Sequence, residues 1–166
     1  MKYTLSVLVE NQPGVLSKVS SLFSRRGFNI DSLAVGITED PTISRMTIVV
    51  NGDEYLVEQV EKQLNKIIPV IKVKVLESEA LISCELSLIK VSCNTKHRAE
   101  IMKIAELMQA KIVDVATTSL TLQSSDTDER TKTLISLLKP YGIKEIVSSG
   151  SIAIEKGATT ARKQHA

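Results

Sequence analysis

Tyr3-Thr4-Leu5-Ser6-Val7-Leu8-Val9-Glu10-Asn11-Gln12-Pro13-Gly14-Val15-Leu16 changes its period halfway along, and that change decides the fold. Tyr3, Leu5, Val7 and Val9 alternate on one face of a strand, with Thr4, Ser6 and Glu10 on the other. Asn11-Gln12-Pro13-Gly14 breaks the alternation, and Val15, Val19, Leu22 and Phe23 then recur at helical spacing until Gly27. Working outward, Leu33, Val35 and Ile37 return to period two. Asp40-Pro41 signals a turn, and Met46, Ile48 and Val50 form a returning strand. After Asn51-Gly52, Asp53-Glu54 places negative charge at a helix start, where the macrodipole favours it. Leu56, Val60, Leu64 and Ile67 or Ile68 make the stripe of that helix. Beyond Pro69, Ile71, Val73 and Val75 face away from Lys72 and Lys74. The order is β-α-β-β-α-β.

The second half repeats it. Ile82, Cys84, Leu86 and Leu88 alternate, and the parity then passes to Ile89, Val91 and Cys93, which suggests a bulge or burial of both faces. Ile101, Ile104, Ala105 and Met108 are helical, following a cap-like Asn94-Thr95. Short strands are expected over 112–116 and 120–123, and a loop with capping residues over 124–129. Leu134, Leu137 and Leu138 stripe a fourth helix that Pro140 and Gly142 end, and strands over 143–147 and 152–154 close the unit. Each half matches the split β-α-β, or ferredoxin-like, motif. The expected fold is therefore α+β, with two tandem domains over 1–78 and 79–156 and a frayed tail over 157–166. With both helices on one face, the other face of the first sheet is expected to be half-apolar, through Leu8, Met46, Ile48 and Val50. Such a face calls for a partner: the other half, a second chain or another protein.

Composition narrows the function. The 166 residues are 43% apolar and 24% charged, ordinary for a globular chain that needs no metal or disulfide staple. Aromatics are only 3%, poor material for stacking bases. Charge is balanced, with nine basic against ten acidic residues in 1–79 and twelve against nine in 80–166. A nucleic-acid binder would show a concentrated basic footprint. No apolar run approaches the length of a membrane span, and the opening residues already read as a strand rather than a targeting segment. The expected setting is inside a cell or organelle. Cys84 and Cys93 lie nine residues apart in one extended stretch, too far to bridge, and read as buried thiols.

Catalytic chemistry is not found. The seven glycines are too dispersed for a phosphate loop, and His97 and His165 have no nucleophile-activating arrangement. No residue set suits a metal. The connection over 11–16 is different. Pro13 suits the first helical position, leaving the N–H groups of Gly14, Val15 and Leu16 pointing out of a helix N-terminus that attracts an anion. Gly14 has no side chain to block approach. Asn11 ends the first strand and Asn29 precedes the second, and their amides can hold either end of a zwitterion. A plain tight strand-to-helix connection would use the same residues. The second half has no counterpart, since Ser92-Cys93-Asn94-Thr95 lacks both Pro and Gly.

Val9-Glu10-Asn11-Gln12-Pro13-Gly14-Val15-Leu16 resembles the opening of an ACT domain, a module that binds amino acids in regulated metabolic enzymes. Leu22-Phe23-Ser24-Arg25-Arg26-Gly27-Phe28-Asn29-Ile30-Asp31-Ser32-Leu33 and the run from Thr38 through Val50 resemble the regulatory subunits of acetohydroxyacid (acetolactate) synthase. That resemblance implies a subunit without a catalytic site. It would bind and activate a catalytic subunit that carries thiamine diphosphate, Mg and FAD, itself holding no cofactor. It would also confer feedback by valine or a related branched-chain amino acid. The effector would lie between two ACT domains of a homodimer. Asn11, Gln12, Pro13, Gly14, Val15, Leu16 and Ile30 would come from one chain and Asn29 from its partner. The setting would be cytoplasmic in a bacterium, or plastid stroma if plastid-encoded. A free-standing ACT-domain regulator of another biosynthetic enzyme is the alternative. An RNA-recognition module would need aromatics where Arg45-Met46-Thr47-Ile48 stands, and an acylphosphatase would need an arginine within 11–16.

Overall fold

The computed structural model describes residues 1–161. Two compact units are present: Met1–Ile82 together with the chain from Ser151 on, and Ser83–Gly150. The first contains β1 (Lys2–Glu10), α1 (Val15–Arg26), β2 (Ile30–Ile37), β3 (Ile43–Asn51), α2 (Glu54–Leu64) and β4 (Val70–Leu76). Its sheet order is β2-β3-β1-β4, so the β-α-β-β-α-β reading holds, with α+β architecture.

Register explains the core. Leu5 pairs with Ile48 and Val7 with Met46, while Leu33 on β2 also meets Ile48 and Val73 on β4 meets Val7. These side chains join Val15, Val19, Leu22 and Phe23 of α1 and Val57, Val60 and Leu64 of α2 in one buried cluster. Met46, Ile48 and Val50 therefore face the helices, not the open side expected of them. Cross-strand pairs share a face, so Leu5 and Val7 carry their β3 partners inward. The opposite face carries Ser6, Leu8, Arg45, Thr47 and Val49, and it is covered by this chain itself, through residues 151–155.

Helix ends follow capping chemistry. Asp53 accepts from the Leu56 N–H at 2.8 Å and starts α2. Gly27 ends α1 at φ +68°, a left-handed conformation that suits glycine. Pro13, expected at the first helical position, lies one residue outside the cap. Gly14 is the N-cap at φ +83°, and Val15 is the first helical residue. The Pro-Gly pair forms a turn, which delays the helix by two positions.

The second unit runs through β5 (Leu81–Ser92), α3 (Arg98–Leu107), β6 (Lys111–Val115), β7 (Ser119–Asp126), α4 (Asp128–Leu138) and the start of β8 (Ile143–Glu155). The order β6-β7-β5-β8 reproduces the first sheet's topology. Three expectations need correction. The β5–β7 register runs unbroken from Glu85 to Ser92, so the parity change is no bulge there: Ile89 and Val91 face the core while Ile82, Leu86 and Leu88 remain exposed. Residues 124–126, expected in a loop, extend β7, because their N–H and C=O groups still have β5 to pair with, and only Thr127 serves as the α4 cap. Strands 143–147 and 152–154 are one strand, and its last residues belong to the first unit. Cys84 and Cys93 are free thiols, but only Cys93 is buried; Cys84 is half-buried, with its Sγ 3.2 Å from Ser125 Oγ. Residues 156–161 form no helix or strand; the remainder of the expected tail lies outside the described residues.

Candidate functional site

The β1–α1 connection is held rigidly from outside. The Glu10 N–H donates to Pro69 C=O at 2.9 Å, and the Asn11 N–H to Thr42 C=O at 2.8 Å. Asn11 Nδ2 donates to Pro41 C=O at 2.9 Å, so the β2–β3 hairpin fixes the side chain while its Oδ1 remains available as an acceptor. The Gln12 N–H folds back on Glu10 C=O, and Pro13 then stiffens the exit.

At the helix start, Lys18 N–H donates to Gly14 C=O and closes the first turn. The N–H groups of Gly14, Val15, Leu16 and Ser17 precede that bond and have no carbonyl within the helix to pair with. No side chain caps them, and the first turn of α1 holds no acidic residue. A Cβ built on Gly14 would meet nothing within 4 Å, so the approach is open. A carboxylate at such a terminus gains about 0.3–1 kcal/mol, and up to about 2 kcal/mol when partly buried. Lys18, one turn further on, adds positive charge. The loop is built to receive an anion.

The eight expected site residues separate into two groups. Asn11, Gln12, Pro13, Gly14, Val15 and Leu16 lie together, with the Val15 side chain in the core, where it offers a ligand only its backbone, and Leu16 45% exposed. Asn29 and Ile30 stand at the other end of α1, whose 12 residues span about 18 Å. Ile30 pairs with Val50, whereas Asn11 is bonded at Pro41 and Thr42, at the opposite end of β3. The expectation that one chain supplies Ile30 together with the Gly14 loop is therefore corrected: Ile30 accompanies Asn29. The Asn29 Nδ2 donates to Asp31 Oδ1 at 3.3 Å, which leaves its other polar atoms free to meet a ligand. Sequence reasoning missed the Pro41 and Thr42 carbonyls that fix Asn11, because a hairpin's hydrogen-bond partners leave no side-chain signal. Among the described residues no group of three His, Cys, Asp or Glu could hold a metal, and no helix is long and apolar enough to cross a membrane.

Two β-α-β-β-α-β repeats, the first with an open, uncapped anion-receiving helix start, define a protein of the tandem ACT type. Comparison with known proteins narrows this. Residues 5–72 match the AHAS small subunit-like ACT domain, and residues 84–157 match the family described as small subunit of acetolactate synthase. The chain is 52% identical to the acetolactate synthase small subunit of Mycolicibacterium smegmatis, covering 93% of this chain and 91% of that protein. It is 47% identical to the probable acetolactate synthase small subunit of Archaeoglobus fulgidus, over 95% and 98% of the two chains. The crystal structure of the small subunit from Thermotoga maritima superposes with a TM-score of 0.87 at 35% identity, covering 96% of this chain and 99% of that one. The chain belongs to the acetolactate synthase small subunit family, regulatory ACT subunits of branched-chain amino acid biosynthesis.

Proposed function

We propose that this chain binds the thiamine-diphosphate-dependent catalytic subunit of acetolactate synthase, raises its activity, and makes it sensitive to valine or a related branched-chain amino acid. The observation that carries the reading is the uncapped α1 terminus behind Gly14, aimed into open space beside the fixed Asn11 amide. An amino-acid effector offers a carboxylate to those N–H groups and an ammonium to an amide oxygen. The 18 Å between Asn11 and Asn29, about the length of α1, supports a site completed by a second chain, because neither amide reaches the other's ligand within one chain. β2 is an edge strand with Val35 and Ile37 exposed, a surface suited to that second copy. The domain spanning 1–78 would hold the effector. The domain spanning 79–156, with no such loop, would serve another task in the assembly. Thiamine diphosphate, Mg and FAD would sit on the catalytic subunit, and the expected setting is that enzyme's own compartment, the cytoplasm of a bacterium.

Reconstitution tests this. The purified chain should form no acetolactate from pyruvate with thiamine diphosphate and magnesium, yet raise turnover when added to the catalytic subunit, and valine should then suppress the increment. Turnover by the chain alone, or no response of the catalytic subunit to it, would overturn the reading.

A further inference from the structure

Residues 151–155 cross the helix-free face of the first sheet and are held there by polar contacts. The Ser151 N–H donates to Ser32 Oγ at 2.8 Å, Arg45 Nη2 donates to Ala153 C=O at 2.6 Å, and Lys74 Nζ stands 2.7 Å from Glu155 Oε1. Very little apolar surface backs these contacts. Strand alternation sends Ile152 and Ile154 outward, each more than half exposed, and turns only the Ala153 methyl inward. Beneath the segment, Ser6 Oγ and Arg45 Nε are buried without a hydrogen-bond partner. Buried polar groups left unpaired oppose closure, because opening would return them to water. Burial also works against the Arg45 charge, which Glu155 and Glu39 restore in part. The segment is held well enough to order it and poorly enough to leave.

Arg45 also sits close to the anion-receiving loop. It lies three residues beyond Thr42, whose carbonyl takes the Asn11 N–H, and it stands opposite Leu8 on β1, where the pairing with β4 shifts register just before the loop. We infer that residues 151–155 are a releasable strap clipped to the effector domain by Arg45, and that an occupied 11–16 loop holds the strap closed. The second half of this inference rests on the effector reading proposed above. The same strand continues upstream, without a break, into the pairing with β5. Strap release is therefore transmitted along the chain to the second repeat.

Hydrogen exchange of the full-length protein, read by mass spectrometry over 150–156, tests both halves. In wild type the Ser151 and Lys156 amides should exchange at least tenfold faster than the β1 amides of Leu5 and Val7, since local opening precedes global unfolding. Arg45→Met should speed the strap tenfold or more while leaving β1 protection unchanged, and Ser32→Ala should act in the same direction more mildly if Arg45→Met loosens the whole domain. Saturating valine should slow the wild-type strap tenfold and leave the Arg45→Met strap fast, with calorimetric valine affinity unchanged within threefold. Strap amides that exchange with β1, or that ignore both substitutions, would overturn the strap. Wild-type protein that binds valine calorimetrically without slowing the strap would overturn the coupling. Wild-type protein that binds no branched-chain amino acid would instead overturn the effector reading, and the strap is then decided by Arg45→Met alone.

Discussion

Gly14 and Gly27 bound α1, and both have positive φ, at +83° and +68°. They do different work. The Gly27 N–H takes up the Ser24 carbonyl, so the residue serves the helix end. Gly14 leaves its neighbours' N–H groups unclaimed, so it serves a ligand. Gly27→Ala has open space for its methyl and meets only the backbone cost of the left-handed region. Its expected effect is a loss of about 1 kcal/mol, read by urea unfolding. No loss would show that α1 can end another way. A second residue-scale prediction concerns Glu100. The Tyr141 hydroxyl donates to Glu100 Oε2 at 2.9 Å and His97 Nδ1 lies 3.3 Å away; together they hold the Glu100 carboxyl below the usual range. A depressed carboxyl contributes stability above its unfolded pKa, and that contribution fades as pH falls through the folded value. Tyr141→Phe should therefore move the Glu100 titration upward in an NMR pH series. An unmoved titration would mean the hydroxyl does not hold Glu100 in solution.

At the scale of elements, the three helix starts offer a graded comparison. Asp53 caps α2 at 2.8 Å, Thr127 caps α4 at 3.4 Å, and α1 has no side-chain cap. Alanine at either cap should cost about 1 kcal/mol in urea unfolding, the Asp53 loss being the larger because its bond is shorter and charge-assisted. A larger loss at Thr127 would contradict that ordering. These elements were legible because their signals are local. Asp53-Glu54 marks a helix start, Gly27 a stop, and period-two runs mark β1 and β3. The candidate loop was legible for the same reason, through Pro13 and Gly14. Facing was harder. Alternation shows that Met46, Ile48 and Val50 share a face, but only pairing with Leu5 and Val7 shows which one. The covering of the opposite face was out of reach, since Arg45 and Ala153 stand 108 residues apart and Ala153 offers no pattern of its own.

On the scale of the whole molecule, the separation of Asn11 from Asn29 sets the assembly. Asn11→Ala and Asn29→Ala should each weaken valine binding, and mixing the two variants after subunit exchange should restore about one site in four, because one site of each mixed dimer regains both amides. A mixture no better than its parents would place both residues in one chain's site. Binding should also weaken as protein is diluted through the dimer dissociation constant, as linkage requires. The central claim is that the effector's carboxylate sits at the α1 terminus behind Gly14, apart from the surface that activates the catalytic subunit. Gly14→Asp puts a competing carboxylate there, while Gly14→Asn has a similar tolerance of positive φ without the charge. Like charges about 4 Å apart cost about 4 kcal/mol at an effective dielectric near 20, and half of that weakens binding about thirtyfold. The measurement is catalytic-subunit activity against valine concentration at saturating regulatory subunit for wild type and both variants. The account predicts full activation throughout, with inhibition shifted thirtyfold or lost in Gly14→Asp and little changed in Gly14→Asn. A wild-type inhibition curve from Gly14→Asp, or loss of activation along with inhibition, would contradict it.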